Sequence, residues 1–270
     1  MNAPKTITSL TNDRVKAIRA LEMRKVRKET GLFVAEGASL LITARDQGYV
    51  PETLVYQTGE AQSGIVRGLV TFALKEGAEV LEVSEAVLQK LASKDNPQTA
   101  LGVFRQHFAP PPDLAILPAN ETWLALEDIR DPGNLGTIVR TADAAGCAGI
   151  ILVGTCCDPY AQESIRATMG SIFAVPLVKM ERAAFLAFAS AWPGDVIATH
   201  LESTEDYRAA NYRGPELLVM GSEGPGLSDE AAAVATRRVK IPMAGRLDSL
   251  NLAIATALML YQIRGPKLKL

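Results

Sequence analysis

The sequence predicts an α/β protein in two domains, the second built on a mostly parallel sheet. Three observations carry that expectation. Short apolar runs alternate with amphipathic segments of helical length along the chain, the pattern of α/β folds. One stretch, His107–Asp113, holds three consecutive prolines and is soon followed by Pro118; such a stretch joins neither a helix nor a central strand and reads as a stiff linker. Late in the chain the apolar run Leu217–Met220 stops at Gly221-Ser222-Glu223-Gly224-Pro225-Gly226, where three glycines allow close approach of a ligand to main-chain N–H groups. The chain has 270 residues, enough for two ordinary domains. The boundaries read as a first domain over 1–106, a linker over 107–120 and a second domain over 121–270.

In the first domain Asn12–Glu29 reads as one amphipathic helix, with Val15, Ile18 and Val26 near one side and Leu21 at its edge. Gly31 ends it. Strands follow at Leu32–Ala35, Thr53–Tyr56, Glu79–Val83 and Ala100–Arg105, and helices at Ala38–Gln47, about Ala61–Lys75 and Glu85–Ala92. Up to residue 30 the chain carries eight basic and three acidic residues. That excess is either a solvated helix face or a footprint for a phosphate backbone, with Arg14, Lys16, Arg24, Lys25, Arg27 and Lys28 as its candidate contacts.

The second domain opens with a strand, Thr122–Leu126, and a polar loop, Glu127–Asn134. A helix over about Leu135–Ala145 turns Leu135, Ile138, Val139 and Ala142 to the core and ends at Gly146. Strands at Gly149–Val153, Phe173–Leu177, Val196–Thr199, Leu217–Met220 and Val239–Pro242 alternate with helices at Glu163–Met169 and Glu181–Ser190. Ser249-Leu250-Asn251 opens the last helix, Leu252–Ile263, which is apolar nearly all round. Such a helix is buried on more than one side, within the monomer or at a subunit interface. Ligands of open parallel sheets sit at the carboxyl ends of the strands. Three of those ends carry unusual loops: Thr199-His200-Leu201, Gly221–Gly226 and Ile241–Gly245.

Composition and motifs exclude several chemistries. Apolar content of 48% with 21% charged residues is that of a soluble globular chain. No apolar run approaches the roughly 20 residues of a membrane span, and the first residues lack the hydrophobic core of an export signal. The cysteines are Cys147, Cys156 and Cys157; an odd count with an adjacent pair is no disulfide framework and points to a reducing cytoplasm. With only His107 and His200 and no Cys-x-x-Cys, no metal site is expected. Asp131–Gly136 lacks the dinucleotide spacing, the loop at 221–226 has no phosphate-binding lysine, and no G-x-S-x-G elbow occurs.

What remains is a polar set: Asn134, Arg140, Glu223, Ser249 and Asn251. Arg140 is either an exposed helix arginine or a permanent cation that grips phosphate. Asn134 reads as a helix N-cap. Glu223 is a solvated loop charge or a clamp on nearby donors. Ser249 and Asn251 are capping groups or hydrogen-bonding groups in a cofactor or ribose pocket.

Three segments, in order, give the pattern a family. LALEDIRDPGNLGTIVRTADAAG, ESIRATMGSIFAVPLV and LLVMGSEGPGLS…VKIPMAGRLDSLNLAIATALMLYQ resemble the three motifs of the SpoU (TrmH-like) RNA 2′-O-ribose methyltransferases of the SPOUT superfamily. GLFVAEG after a basic helix is similar to the L30e-like substrate-binding domain that precedes the catalytic domain in many members. The resemblance implies an α/β knot, a deep trefoil, in the second domain, and a homodimer through it. It implies S-adenosylmethionine as cofactor, held by Thr199, His200, Leu201, Gly221, Ile241, Met243 and Leu250. By position, Asn134 and Arg140 are the first-motif residues and Glu223 the third-motif glutamate. Ser249, Leu250 and Asn251 are the Ser-Leu-Asn triplet. The lead-in to the second motif, Asp158–Glu163, departs from the usual pattern and leaves Glu163 without an assigned role. The implied reaction is methyl transfer to a ribose 2′-hydroxyl, with ribosomal RNA the expected substrate. The alternatives are a transfer RNA target, a base nitrogen as acceptor, and a non-catalytic RNA-binding paralogue.

Overall fold

The computed structural model describes residues 3–62, 64–92 and 99–268. The chain divides into two units, one running to His107 and taking in Asp158–Ala174, the other holding Phe108–Cys157 and the chain from Val175 on.

The first unit contains strands β1 (Lys5–Ile7), β2 (Leu32–Glu36), β3 (Thr53–Gln57), β4 (Glu79–Val83) and β5 (Ala100–Arg105). Its helices are α1 (Asp13–Ala20), α2 (Arg24–Thr30), α3 (Ala38–Asp46), α4 (Gly64–Lys75) and α5 (Glu85–Leu91). The sheet order is β1-β4-β3-β5-β2, with β1, β4 and β3 parallel and β5 antiparallel to both neighbours. β1 is an edge strand too short to show in the sequence pattern. The single helix expected over Asn12–Glu29 is two helices. Asn12 caps α1 through a 2.8 Å bond from the Arg14 N–H. Leu21 closes that helix and Met23 is extended, so the chain restarts at α2. The break is held by Arg27, whose Nη1 donates to the Leu21 and Glu22 carbonyls, each at 2.8 Å.

That bond corrects the expectation that Arg27 contacts RNA. The residue is buried, and its guanidinium also pairs with Asp158 at 2.8 Å. In the same unit Phe33, Phe104, Tyr160 and Phe173 form a ring cluster with centroids 4.7–6.0 Å apart. The Tyr160 hydroxyl donates to the His107 carbonyl at 2.6 Å. Asp158, Tyr160 and Phe173 all come from a segment that the sequence reading assigned to the second domain.

The second unit's elements begin with β6 (Thr122–Glu127), α6 (Pro132–Ala144) and β7 (Gly149–Val153). The excursion that follows contains α7 (Gln162–Thr168) and belongs to the first unit. Then come β8 (Leu177–Met180), α8 (Arg182–Ser190), β9 (Val196–Thr199), β10 (Glu216–Met220), α9 (Asp229–Ala233), β11 (Arg237–Val239) and α10 (Leu252–Arg264). The strand expected at Phe173–Leu177 starts later, because Ser171–Phe173 forms a 3-10 turn. The sheet order is β11-β9-β10-β6-β7-β8, and every pairing is parallel. β6, β7 and β10 are buried at every residue, as central strands covered on both faces must be. On one side of β6 the strands follow outward in chain order, β7 then β8; on the other lie β10, β9 and β11, with the chain entering at β9, turning inward to β10 and ending at the edge in β11. The connections that leave β6 and β10 run in opposite directions, so ligands of such a sheet are expected at the carboxyl ends near β10. The proline-rich stretch is no free linker: the Ala109 N–H donates to the Leu177 carbonyl at 2.8 Å, and Leu114 and Leu117 pack on the core around Trp123, Phe185 and Trp192.

Candidate active site

A cavity of about 490 Å³ opens at the carboxyl ends of β9, β10 and β11. Its volume lies in the range of small-molecule sites, roughly 300–1,000 Å³. After β9 it is lined by Thr199, His200 and Leu201, and after β10 by Gly221, Ser222, Glu223, Gly224, Gly226 and Leu227. Beyond β11, Lys240, Ile241 and Met243 form a third wall, and Asp248, Ser249, Leu250 and Asn251 a fourth. All seven residues expected at a cofactor site therefore meet around one space. The cavity also takes in Met220, Ser222, Lys240 and Asp248, which lie within the third motif segment but to which the sequence assigns no cofactor contact.

The walls are shaped by backbone constraints. Ser222 and Gly226 exchange two N–H···O bonds at 3.1 Å, so the loop after β10 is a tight hairpin. A Cβ on Gly221 would lie 2.1 Å from the carbonyl carbon of Gly226, which only glycine avoids. Gly224 and Gly226 have φ of 89° and 76°, a region side chains disfavour. Main-chain groups thus stand at the cavity surface with no side chain between them and a ligand.

A chain of hydrogen bonds braces one edge. Glu223 accepts from the Asn134 side-chain amide at 2.8 Å and from the Arg130 N–H at 3.3 Å. The other end of the Asn134 amide accepts from Asn251 Nδ2 at 2.9 Å. Asn251 Oδ1 accepts from the Ala253 and Ile254 N–H groups at 2.9 and 3.3 Å and so caps α10. Two sequence expectations change here. Asn134 is not the N-cap of α6; Asp131 is, accepting the Asn134 N–H at 2.6 Å, because Pro132 fits the first helical position and needs no donor partner. Asn134 is thereby released to bridge Glu223 and Asn251. Ser249 is not the cap of α10 either; its hydroxyl lies 3.2 Å from Asp248 Oδ1.

Arg140 lies on the exposed side of α6 and is not part of the cavity wall. Among the described residues it makes no hydrogen bond or ion pair, so its guanidinium faces solvent. In the first unit Arg14, Lys16, Arg24, Lys25 and Lys28 are exposed. Arg14 pairs with Glu79, Lys16 with Asp13 at 3.0 Å and Lys25 with Glu29 at 3.9 Å. Among the described residues no group of three His, Cys, Asp or Glu could hold a metal ion, and no helix is long and apolar enough to cross a membrane.

The profile of the SpoU rRNA methylase family matches residues 121–261, over half of the chain. The chain belongs to the SpoU rRNA methylase family. It is an RNA methyltransferase, and its residues 12–102 match a second profile, the MRM3-like substrate-binding domain. A crystal structure of an rRNA methyltransferase from Sinorhizobium meliloti with bound S-adenosylmethionine is 46% identical, with a TM-score of 0.90, covering 98% of this chain and 99% of that one. The 23S rRNA (guanosine(2553)-2′-O)-methyltransferase of Bacillus subtilis is 28% identical over 97% of this chain and 100% of its own length. The 23S rRNA (uridine(2479)-2′-O)-methyltransferase of Streptomyces viridochromogenes is 30% identical over 88% of this chain and 84% of its own. Of the polar set of this SpoU chain, Asn134, Glu223 and Asn251 are one continuous arrangement at the cavity edge, Ser249 lines the wall beside Asp248, and Arg140 stands apart.

Proposed function

We propose that this chain transfers a methyl group from S-adenosylmethionine to a ribose 2′-hydroxyl of ribosomal RNA, in the large-subunit 23S molecule. The observation that carries the reading is the cavity at the carboxyl ends of β9, β10 and β11, lined by all seven expected cofactor residues and braced by Glu223, Asn134 and Asn251. The residues fit the cofactor chemically. Leu201, Ile241, Met243 and Leu250 offer apolar surface for an adenine ring, and the glycine hairpin offers bare main-chain groups for the polar parts. S-adenosylmethionine supplies, when bound, a methyl on a positively charged sulfur whose departure leaves a neutral thioether.

The protein's share is positioning and charge. Holding donor and acceptor in line contributes up to about 7–11 kcal/mol in well-oriented systems. Asn134, Glu223 and Asn251 spend their polar atoms on one another, so they are positioning groups that fix the cavity edge. Arg140 is the candidate catalytic group. Its forked guanidinium donors grip the phosphate of the target nucleotide and lower the cost of losing the 2′-hydroxyl proton to solvent. The exposed Arg14, Lys16, Arg24, Lys25 and Lys28 bind RNA backbone on the first unit. The 2′-hydroxyl itself selects RNA over DNA.

The same reading includes a homodimer through α10 and a deep trefoil knot. The knot is supported by the path of the chain: β11 is an edge strand beside β9, yet Asn251 bonds Asn134 beyond β10, so the intervening residues cross the carboxyl ends of the sheet. A crystal structure traced through 196–264 tests it. A cytoplasmic location goes with the substrate and is checked by cell fractionation.

The test of function is transfer of labelled methyl to separated ribosomal and transfer RNA by wild type and Arg140→Ala. The expected result is label in ribosomal RNA that survives alkali as a 2′-O-methylated dinucleotide and is lost in the variant. Label in transfer RNA overturns the substrate, and label lost from such dinucleotides overturns ribose as the acceptor.

A further inference from the structure

The glycine hairpin that lines the cavity is tied down at both ends. Glu223 ties the front end to the β6–α6 loop, as described. The back end is tied by a different carboxylate. Glu127, the last residue of β6, is buried and accepts from both the N–H and the hydroxyl of Ser228, each at 2.8 Å. Ser228 in turn accepts the Ala231 N–H at 3.2 Å and caps α9. Six of the residues between Met220 and Ser228 line the cavity, so the Glu127–Ser228 clamp sets where that wall stands.

A buried carboxylate holds its charge only against a cation or strong donors. Among the described residues the cation on Glu127 is Arg182, the first residue of α8, with Nη1 3.0 Å from Glu127 Oε1. Its other terminal nitrogen pairs with Asp128. Asp128 is unusual in its own right: φ is 50°, in the left-handed region, and its Oδ1 accepts the Thr155 N–H at 2.7 Å. Gly154 leaves room for that carboxylate, since a Cβ there would lie 2.5 Å from Oδ1. One guanidinium therefore spans two successive carboxylates at the end of β6. One of them aims the hairpin wall, and the other holds the strained turn that leads to Arg130 and Asn134.

We infer that Arg182 is a positioning residue for cofactor binding, acting through Glu127 and Ser228 on the wall made by the hairpin at 221–227. The inference rests on the cofactor reading above. Arg182 does not line the cavity, and nothing in the sequence marks it. Planar, forked donors suit this bridge; a lysine can satisfy one carboxylate but not both.

The test is equilibrium binding of S-adenosylmethionine by titration calorimetry to the full chain as wild type, Arg182→Met, Arg182→Lys and Glu127→Gln, and to the double variant Arg182→Met/Glu127→Gln, with thermal unfolding alongside. Arg182→Met is expected to weaken binding about tenfold, the size of one charge-assisted hydrogen bond lost, and Arg182→Lys to recover part of it. With Glu127 neutralised, the further Arg182→Met change is expected to cost under about threefold, because the two residues act as one unit. The methyl-transfer rate at saturating cofactor is expected to fall less than the affinity does. Equal affinity in Arg182→Met and wild type overturns the inference, whatever happens to the melting temperature. So does full additivity in the double variant. If Arg182→Met does not fold, Arg182→Lys carries the measurement, and wild-type affinity there overturns the inference equally. A wild type that binds no S-adenosylmethionine takes down the cofactor reading itself, and is told apart from the other outcomes by that control alone.

Discussion

At Gly221 the β10 strand turns into the cavity wall with 2.1 Å between a would-be Cβ and the Gly226 carbonyl carbon. The neighbouring atoms are backbone, so nothing flexible can give way. Gly221→Ala is therefore expected to push the hairpin open and weaken S-adenosylmethionine binding by about tenfold or more; calorimetric titration checks it, and wild-type affinity would show that the hairpin yields freely. The cysteines make a second residue-scale case. Burial pushes the Cys147 and Cys157 thiols up to about 12 and Cys156 to about 11, from an ordinary value of 9.0. Native protein at pH 8 is expected to react slowly with a thiol reagent, and unfolded protein to expose all three at once. The folded state keeps these protons where the unfolded state loses them, so their contribution is complete below pH 9.0 and is lost as the pH climbs toward 11 and 12. Urea midpoints that stay flat from pH 8 to the alkaline limit of the assay would contradict it.

Among the elements, the excursion between β7 and β8 changes the most. Asp158–Ala174 lies in the sequence of the methyltransferase half, yet it is structurally part of the first unit. Its Asp158 receives the guanidinium of Arg27, whose side chain is 6% exposed against 15% for the aspartate. Removing one partner of a buried pair leaves the other uncompensated, so Arg27→Ala is expected to cost about 3 kcal/mol of stability. Lys28→Ala, next along α2 and exposed, is expected to leave stability within about 0.5 kcal/mol and to weaken RNA binding. Chemical denaturation and a filter-binding assay, run on both variants, separate the two roles; equal stability in both would restore Arg27 to the RNA face.

For the whole molecule the question is the partner of α10. Leu252, Met259, Leu260 and Ile263 are buried in the monomer, while Ile254, Leu258 and Tyr261 are 53%, 38% and 50% exposed. Together with Tyr207 and Gln262 they border a shallow depression of about 400 Å³. Contiguous apolar surface of this kind is where an interface is expected, and the homodimer proposed above would cover it with a second copy of the same face. Leu258→Arg combined with Tyr261→Glu is expected to convert a dimer into a folded monomer in sedimentation velocity. A wild type that sediments as a monomer at micromolar concentration would remove the dimer from the reading.

The linear order of residues determined the fold class, the three-segment resemblance to the family and, through that resemblance, seven of the residues that line the cavity, because those rest on local periodicity and on motifs that keep their spacing. Leu217–Met220 reads as a buried strand since every residue in it is apolar, and the glycines after it can only form a tight turn. Other features waited for the tertiary structure. The break between α1 and α2 depends on Arg27 reaching back to Leu21 and Glu22 while also meeting Asp158, 131 positions away. Asn134 looked like a cap until Asp131 took that place, and its partners Glu223 and Asn251 are 89 and 117 positions distant. Arg182 carries no mark at all, because its part comes from Glu127 and Asp128, which the sheet brings to it across 54 or more residues. Local patterns report what a residue does to its neighbours in sequence; charges and hydrogen bonds act through space, and only the folded chain decides which of them meet.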